Sequence, residues 1–391
     1  MSDTHLFLGN DRWETLVRAE ALARDVLAPV AAAGEQGRVN RSLLEALAQH
    51  GLLGQVFRQR TDGGVASRVS AVDLCLLREG LARFCTEAET ALALQGLGGY
   101  PILLGGKPDV VREWLPRIAG GRVAAAFAVT EPEAGSDATA LTLDAVPVPG
   151  GFRLNGEKTF ISNAPEAGIY SVFARTGAGK GGRGITAFAV PGDSAGLGGS
   201  PLRLIAPHPI GRLGFHDVFV PDSHVLGDVD HGWDVARRTL TLFRPSVGAF
   251  AVGMGQAALD AAVGHTARRS AFGRPLRGFQ GVSHQLAEVA TRLQGARLLV
   301  YDAAVAHDGG EPGVARRAAM AKLFATETAQ VAVDVAIQVH GARALEEDHV
   351  LAHLYREVRA PRIYEGASEI QRDIIAGALF RGADARLDPS S

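Results

Sequence analysis

The run Ile363-Tyr364-Glu365-Gly366-Ala367-Ser368-Glu369-Ile370-Gln371-Arg372 sets a carboxylate between an aromatic residue and a glycine, where one helical pattern has ended and another begins. Glu365 in that setting suits a general base: the glycine lets backbone approach a ligand closely, and the aromatic ring keeps water away. Apolar enclosure raises the pKa of such a carboxylate towards neutrality. The plain alternative is a solvated turn carboxylate that caps the helix after it. A second unusual run lies far upstream, Phe127-Ala128-Val129-Thr130-Glu131-Pro132-Glu133-Ala134-Gly135-Ser136-Asp137.

Outward from these two runs the chain has three textures. Residues 1–122 carry helical periodicity: Leu43, Leu44, Leu47 and Leu52 make one apolar stripe, and Val72, Leu74, Leu76, Leu77 and Leu81 make a denser one. Asn40 or Ser42 is placed to cap the first, with Gly51 and Gly54 to end it. Over 123–228 the period shortens to that of strands. Phe152-Arg153-Leu154 meets Asn155-Gly156, a two-residue hairpin signal, ahead of Lys158-Thr159-Phe160-Ile161-Ser162. Ile185 to Val190 and Asp217 to Val220 read as strands closed by proline. Over 229–391 the chain is helical again and alanine-rich, and helices apolar almost all round must bury against one another as a bundle. The expected fold is mainly α with a small central β-domain: an N-terminal helical domain (1–122), a barrel-like or sandwich middle domain (123–228) and a C-terminal four-helix bundle (229–391).

With 391 residues, 47% of them hydrophobic, the chain can bury a substantial core. A formal net charge of −2 supplies no basic field for nucleic acid or for a membrane surface, and neither is expected as a partner. Cys75 and Cys85 read as one helical segment, and ten residues of helix hold two Cα atoms about 15 Å apart, too far for a disulfide. Reduced thiols point to the cytoplasm. Met1-Ser2-Asp3-Thr4-His5 has neither the cationic start nor the apolar core of a secretory signal, and the stretch from Ala249 to Ala262 reads as too short and too glycine-interrupted to span a bilayer. Gly177-Ala178-Gly179-Lys180-Gly181-Gly182 spells Gly-x-Gly-x-x-Gly, yet strands flank it and no helix follows to receive a pyrophosphate, so it reads as a hairpin connection. Glu346, Glu347, Asp348, His349 and His353 look metal-like but lack the His-Glu-x-x-His spacing, and no metal site is expected.

The 127–137 and 363–372 runs, in this order and at this separation, resemble the paired signatures of the acyl-CoA dehydrogenase flavoproteins, and the resemblance covers nearly the full chain. It implies the same three-part fold, FAD as cofactor, and α,β-dehydrogenation of an acyl thioester, acyl-CoA to trans-2-enoyl-CoA. A proton then leaves the carbon α to the carbonyl and a hydride leaves the β-carbon, with electrons passed to an external carrier, electron-transfer flavoprotein. Glu365 takes the place of the catalytic base. Phe243 stands where some members carry that base on an earlier helix, and it cannot serve.

The resemblance gives cofactor contacts to Phe127, Val129, Thr130, Ser136, Phe160 and Ser162, with Phe160-Ile161-Ser162 standing for the usual Trp-Ile-Thr. Ser368 and Glu369 join the cofactor set. Arg269, Phe272, Gln280 and Gln338 are implied to reach the cofactor of a neighbouring subunit, which makes a homo-oligomer, most simply a tetramer, the expected state. Ser136, Arg244, Tyr364 and Gly366 are implied on the substrate side. The chain departs from the family pattern in three places. His340-Gly341-Ala342-Arg343-Ala344 keeps one glycine of a Gly-Gly-x-Gly run, Ala367 replaces a threonine, and Thr241 replaces an acidic neighbour of the CoA arginine. The last leaves a carrier-protein thioester open beside free CoA. A flavin oxidase or monooxygenase on the same fold is the other alternative, against which the retained Glu365 argues. Acyl chain length is not legible; Leu94, Gly96, Leu97, Gly98 and Gly99 suggest a yielding or glycine-lined pocket wall.

Overall fold

The structure, a computed structural model, describes residues 10–57 and 69–387; the Met1–His5 segment read for a leader lies outside the described residues. Helices come first: α1 (Asn10–Leu22), α2 (Ala28–Ala32), α3 (Arg41–Gln49), α4 (Leu52–Val56), α5 (Ala71–Ala82), α6 (Thr86–Gly105) and α7 (Pro108–Ala119). Strands follow: β1 (Ala125–Ala128), β2 (Asp144–Val148), β3 (Gly151–Ser162), β4 (Ile169–Arg175), β5 (Ile185–Pro191), β6 (Leu197–Pro201), β7 (Ile210–Pro221) and β8 (Val225–Leu226). Then come α8 (Gly232–Arg268), the short strands β9 (Ser270–Ala271) and β10 (Arg274–Pro275), α9 (Gln280–Gly309), α10 (Val314–His340), α11 (Val350–Val358) and α12 (Ser368–Leu387). Helices, a β-region and helices again, this is the fold class expected from the sequence. The chain packs into two compact units, a sheet unit of Asp25–Val69 and Glu87–Leu240, and a helical unit of Met1–Arg24, Ser70–Thr86 and Thr241–Ser391.

In the sheet unit the strands form one eight-stranded sheet ordered β6-β7-β3-β2-β4-β5-β8, with β1 parallel beside β4. Strand alternation sends Phe152, Leu154 and Ile161 of β3 into the same core as Leu213, Phe215, Val218 and Val220 of β7. The Asn155-Gly156 hairpin does not form. β3 runs through as one strand with a register shift at Leu154/Gly156, and the turn falls at Pro149-Gly150, where Gly150 takes φ +81°. The reason is pairing: 151–154 and 156–162 both pair with β7 rather than with each other, and the Asn155 side chain accepts the Asp217 N–H at 2.8 Å.

Helix α6 packs on this sheet through glycine. A Cβ on Gly98 would lie 2.5 Å from the Ala126 nitrogen, and the Gly98 carbonyl accepts the Ser171 hydroxyl at 2.8 Å. Gly99 faces the Phe57 ring, 2.7 Å from where its Cβ would be. These glycines serve close packing, which corrects their reading as a yielding pocket wall. Asn40 caps α3 as expected, accepting the Leu43 N–H at 3.0 Å; Gly51, at φ +75°, ends it, whereas Gly54 lies inside α4.

In the helical unit α5 is buried on every side. Its N-terminus is held by Asp308 at the end of α9, whose carboxylate accepts the Ser70 hydroxyl at 2.7 Å and the N–H groups of Ala71 and Val72 at 2.7 and 3.2 Å. Burial opposes that charge, but His307 and these donors hold the Asp308 pKa down to about 2. Further along α5, Glu79 pairs with Arg297 of α9 at 2.7 Å and accepts the Tyr301 hydroxyl at 2.9 Å. Cys85 lies past the end of α5 rather than in one helix with Cys75, and both thiols are buried and outside any disulfide. Helix α8 runs 37 residues, long and apolar enough to cross a membrane, which corrects the reading of 249–262 as too short; Ala249, Phe250, Val252 and Met254 are buried by packing.

Candidate active site

Glu365 sits in the turn ahead of α12 with φ +52°, and Gly366 follows at φ +92°. A side-chain-bearing residue keeps a left-handed backbone only where its surroundings impose it. Here the Gly366 carbonyl accepts two bonds, from Lys322 Nζ of α10 at 2.7 Å and from Gln371 Nε2 of α12 at 2.8 Å. Arg244 Nε of α8 donates to the Glu365 carbonyl at 3.4 Å. At φ +92° any side chain on Gly366 would be strained, and a Cβ there would come 2.5 Å from the bonded Gln371 Nε2, so the turn favours glycine.

The carboxyl oxygen Oε2 of Glu365 is enclosed and without a hydrogen-bond partner, although other atoms of the residue keep some exposure. Burial pushes the Glu365 pKa up; Arg78 of α5, Lys322 and Arg244 pull the other way and lose. Burial also drives the Lys322 pKa down to about 8, against the pull of Glu365, and lowers that of Arg244. Arg78 is 2% exposed, donates to the Ser246 hydroxyl at 2.7 Å and lies 5.8 Å from the Phe250 ring centre. An enclosed carboxyl oxygen without a partner and a pKa raised by burial are properties that proton transfer asks of a carboxylate.

In the sheet unit, the 127–137 run is clamped by a buried ion pair. Glu131 accepts the N–H groups of Thr142 and Leu143 at 2.6 and 2.9 Å and Lys158 Nζ at 2.7 Å, and Lys158 also donates to the Val129 carbonyl at 3.0 Å. Burial opposes the Glu131 charge, yet Lys158 and these N–H groups hold its pKa low, while burial drives Lys158 down to about 8. The clamp sets Val129-Thr130 along β3, where Thr159 N–H donates to the Thr130 carbonyl at 3.0 Å. Next to it Phe160 takes φ +53° at a register shift and is 57% exposed, although Thr159 and Ile161 on either side are buried. Ser162 Oγ and His208 Nε2 share a hydrogen bond at 3.0 Å, and burial lowers the His208 pKa to about 4. A bare aromatic face beside backbone polar groups and the hydroxyls of Thr130 and Ser162 fits a planar heterocycle with a polar edge.

The other residues singled out from the sequence are placed as follows. Phe127 stacks obliquely on Phe173, 4.9 Å between ring centres, and Ser136 is exposed in the loop after it. Arg269, Gln280 and Gln338 are exposed on the helical unit; Phe272, at φ +52° between β9 and β10, is 95% exposed. Tyr364 is 37% exposed. The Ser368 hydroxyl donates to Glu327 at 2.7 Å, and Glu369 meets Arg372 at 3.3 Å, so both side chains are engaged within the chain. His349 caps α11 through the Leu351 N–H at 3.1 Å and His353 meets the Thr86 hydroxyl at 2.7 Å; among the described residues no metal-ligating cluster forms. Sequence reasoning missed Arg78, Lys158, Lys322 and Gln371. A signal existed for Lys322, the lone charge in Ala318-Ala319-Met320-Ala321-Lys322-Leu323-Phe324-Ala325.

An enclosed carboxyl oxygen in the helical unit and an exposed aromatic face in the sheet unit each suit the chemistry of a flavin-dependent oxidoreductase, and comparison with known proteins names the family. The chain matches the acyl-CoA dehydrogenase N-terminal domain over residues 14–122, the middle domain over 126–218 and the C-terminal domain over 230–380. It is 33% identical over 369 residues to the cyclohexane-1-carbonyl-CoA dehydrogenase of Geobacter metallireducens, covering 92% of this chain and 95% of that protein. It is 34% identical over 355 residues to the caffeyl-CoA reductase-Etf complex subunit CarC of Acetobacterium woodii, covering 89% and 92%. Among solved structures, the butyryl-CoA dehydrogenase of Megasphaera elsdenii matches with a TM-score of 0.88 at 32% identity, over 95% of this chain and 99% of that one. The FAD complex of PigA matches with a TM-score of 0.88 at 27% identity, over 95% and 98%. The chain belongs to the acyl-CoA dehydrogenase family. It is an oxidoreductase carrying out dehydrogenation of the acyl-CoA dehydrogenase type, and its cofactor is FAD.

Proposed function

We propose that this chain oxidises an acyl-CoA to its trans-2-enoyl-CoA with Glu365 as the catalytic base, and passes the electrons to an electron-transfer flavoprotein. The observation that carries this reading is the enclosed Oε2 of Glu365, which has no partner of its own and a pKa raised by burial. An α-proton is a weak acid, so its acceptor must be dry, fixed and more basic than a solvated carboxylate. The positive charge of Arg78, Lys322 and Arg244 keeps an ionised fraction available to receive the proton on Oε2. Bound FAD supplies the acceptor for the hydride from the β-carbon.

Val129, Thr130, Phe160 and Ser162 hold the flavin in this reading, with Phe127 and Ser136 beside them. Arg269, Phe272, Gln280 and Gln338 reach the cofactor of a second copy within a tetramer, a role that the bare ring of Phe272 supports. Ser368 and Glu369 border the cofactor, while Arg244, Tyr364, Gly366 and Ser136 line the substrate side. The name of the Acetobacterium woodii relative, a subunit of an Etf complex, supports the electron carrier. Buried thiols outside any disulfide suit the cytoplasm, and a division at 122 and 228 into three domains accords with the ranges of the family matches.

The test is anaerobic titration of the FAD-loaded protein with butyryl-, octanoyl-, palmitoyl- and cyclohexane-1-carbonyl-CoA, followed by flavin absorbance. Bleaching by at least one ester is expected, and Glu365→Gln should slow it by about 10²–10⁴-fold. Bleaching at an undiminished rate in Glu365→Gln removes Glu365 as base. A bound flavin that no CoA ester bleaches points instead to a carrier-protein thioester or to oxygen chemistry.

A further inference from the structure

Lys322 has no exposed surface, lies in an alanine-lined stretch of α10, and spends its ammonium on a backbone carbonyl. That bond alone does not explain a lysine. A carbonyl needs only a neutral donor, and Gln371 already provides one to the same Gly366 oxygen at 2.8 Å. A buried ammonium is costly in a way that a buried amide is not, so its charge calls for a reason. The residue beside the bonded carbonyl is Glu365.

We infer that Lys322 is a positioning residue for the base: together with Gln371 it holds the Gly366 carbonyl of the left-handed turn at 365–366, and its positive charge favours the ionised form of the Glu365 carboxyl. The inference rests on Glu365 acting as the base. The charged groups around the carboxyl are Arg78 from α5, Arg244 from α8 and Lys322 from α10; those around Lys322 are Glu365, Arg244, Glu327 of its own helix and Glu369 of α12. Glu327 is already engaged by Arg362 at 2.8 Å and by the Ser368 hydroxyl at 2.7 Å, and Glu369 meets Arg372 at 3.3 Å. Glu365 is the acid among them that lacks a partner on its buried oxygen.

The design separates charge from geometry because two donors share one acceptor. Lys322→Met removes the charge and one bond and leaves the Gln371 bond, Lys322→Gln removes the charge and keeps a donor, and Gln371→Leu removes a bond and leaves the charge. FAD-loaded wild type and variants are mixed with whichever of the four CoA esters bleaches the flavin, and kcat/KM and the bleaching rate are followed from pH 5.5 to 9.5. Loss of a nearby cation raises a carboxyl pKa, so the acid limb of Lys322→Met should move up by about one pH unit or more. Its rate should fall about tenfold at pH 6 and less than about threefold at pH 9. Gln371→Leu should lower the rate at every pH without moving the limb.

Should Lys322→Met fail to fold, Lys322→Gln, uncharged but able to donate, carries the same expectation. An unmoved limb in the Lys322 variants, or an equal shift in Gln371→Leu, overturns the inference while leaving Glu365 as base. Undiminished bleaching by Glu365→Gln overturns both readings at once.

Discussion

At Glu365 and Gly366 two successive positive φ values bring a carboxyl and the carbonyl after it under the control of three helices. Gly366→Ala strains a φ of +92° and places a Cβ 2.5 Å from Gln371 Nε2, so the turn and its Gln371 bond must shift. Misplacing a base by about an ångström costs on the order of 10²-fold; flavin bleaching should slow by that much while FAD content, read by absorbance, stays normal. The raised pKa of Glu365 also sets a sign. A carboxyl whose folded pKa lies above its unfolded value binds more protons when folded, so its contribution to stability declines as pH rises from the unfolded pKa through the folded one. With Glu365 as the proposed base, activity is expected to run the other way, since a base works only when ionised. Glu365→Gln should therefore lose activity and, at pH 7, melt no lower than wild type in a thermal scan. Glu365, Gly366 and Arg244 were legible because a local motif and a family resemblance mark them. Arg78 and Lys322 were not: a pattern can flag a charge in an apolar helix but not the group it faces across the fold.

At the level of elements, what holds a helix in place is often a side chain from elsewhere. Asp308 caps α5 from the end of α9, and its folded pKa of about 2 lies below the usual carboxylate value. Such a depressed carboxyl contributes stability above its unfolded pKa near about 3.9, lost as pH falls towards about 2. Asp308→Asn should cost about 1–2 kcal/mol at pH 7, allowing for partial solvent screening, and should flatten the acid dependence between about pH 4 and 2 in urea titrations. Gly98→Ala in α6 drives a methyl group against the Ala126 backbone, and about 1–3 kcal/mol should be lost in the same assay. The Asn40 cap could be read from sequence because cap and helix are neighbours. The Asn155-Gly156 signal misled because its flanks have a third strand, β7, as their common partner, and no local dipeptide reports that.

Across the whole molecule, texture follows the chain while compactness does not. Helix, strand and helix succeed one another in sequence, which made the fold class legible. Yet the helical unit draws α5 from between two stretches of the sheet unit. Periodicity says which residues need burial, not which distant stretch supplies it. A fragment of residues 241–391 would leave Arg297 and Tyr301 without Glu79, and would lack Arg78 beside Glu365. Expressed alone it should give no cooperative melting transition by circular dichroism, whereas the full chain should.

The two cysteines, the only ones in the sequence, both fall in that helical unit, and both are buried. Burial pushes the Cys75 thiol far above its usual pKa, so thiolate is scarce there even where a reagent arrives. Alkylation of either sulfur must wait for the packing around it to come apart. The rate at which an iodoacetamide-type reagent is taken up, resolved by mass spectrometry into one site and the other, is therefore a native clock. It counts openings of the unit that carries Glu365, with no dye or engineered probe to perturb it.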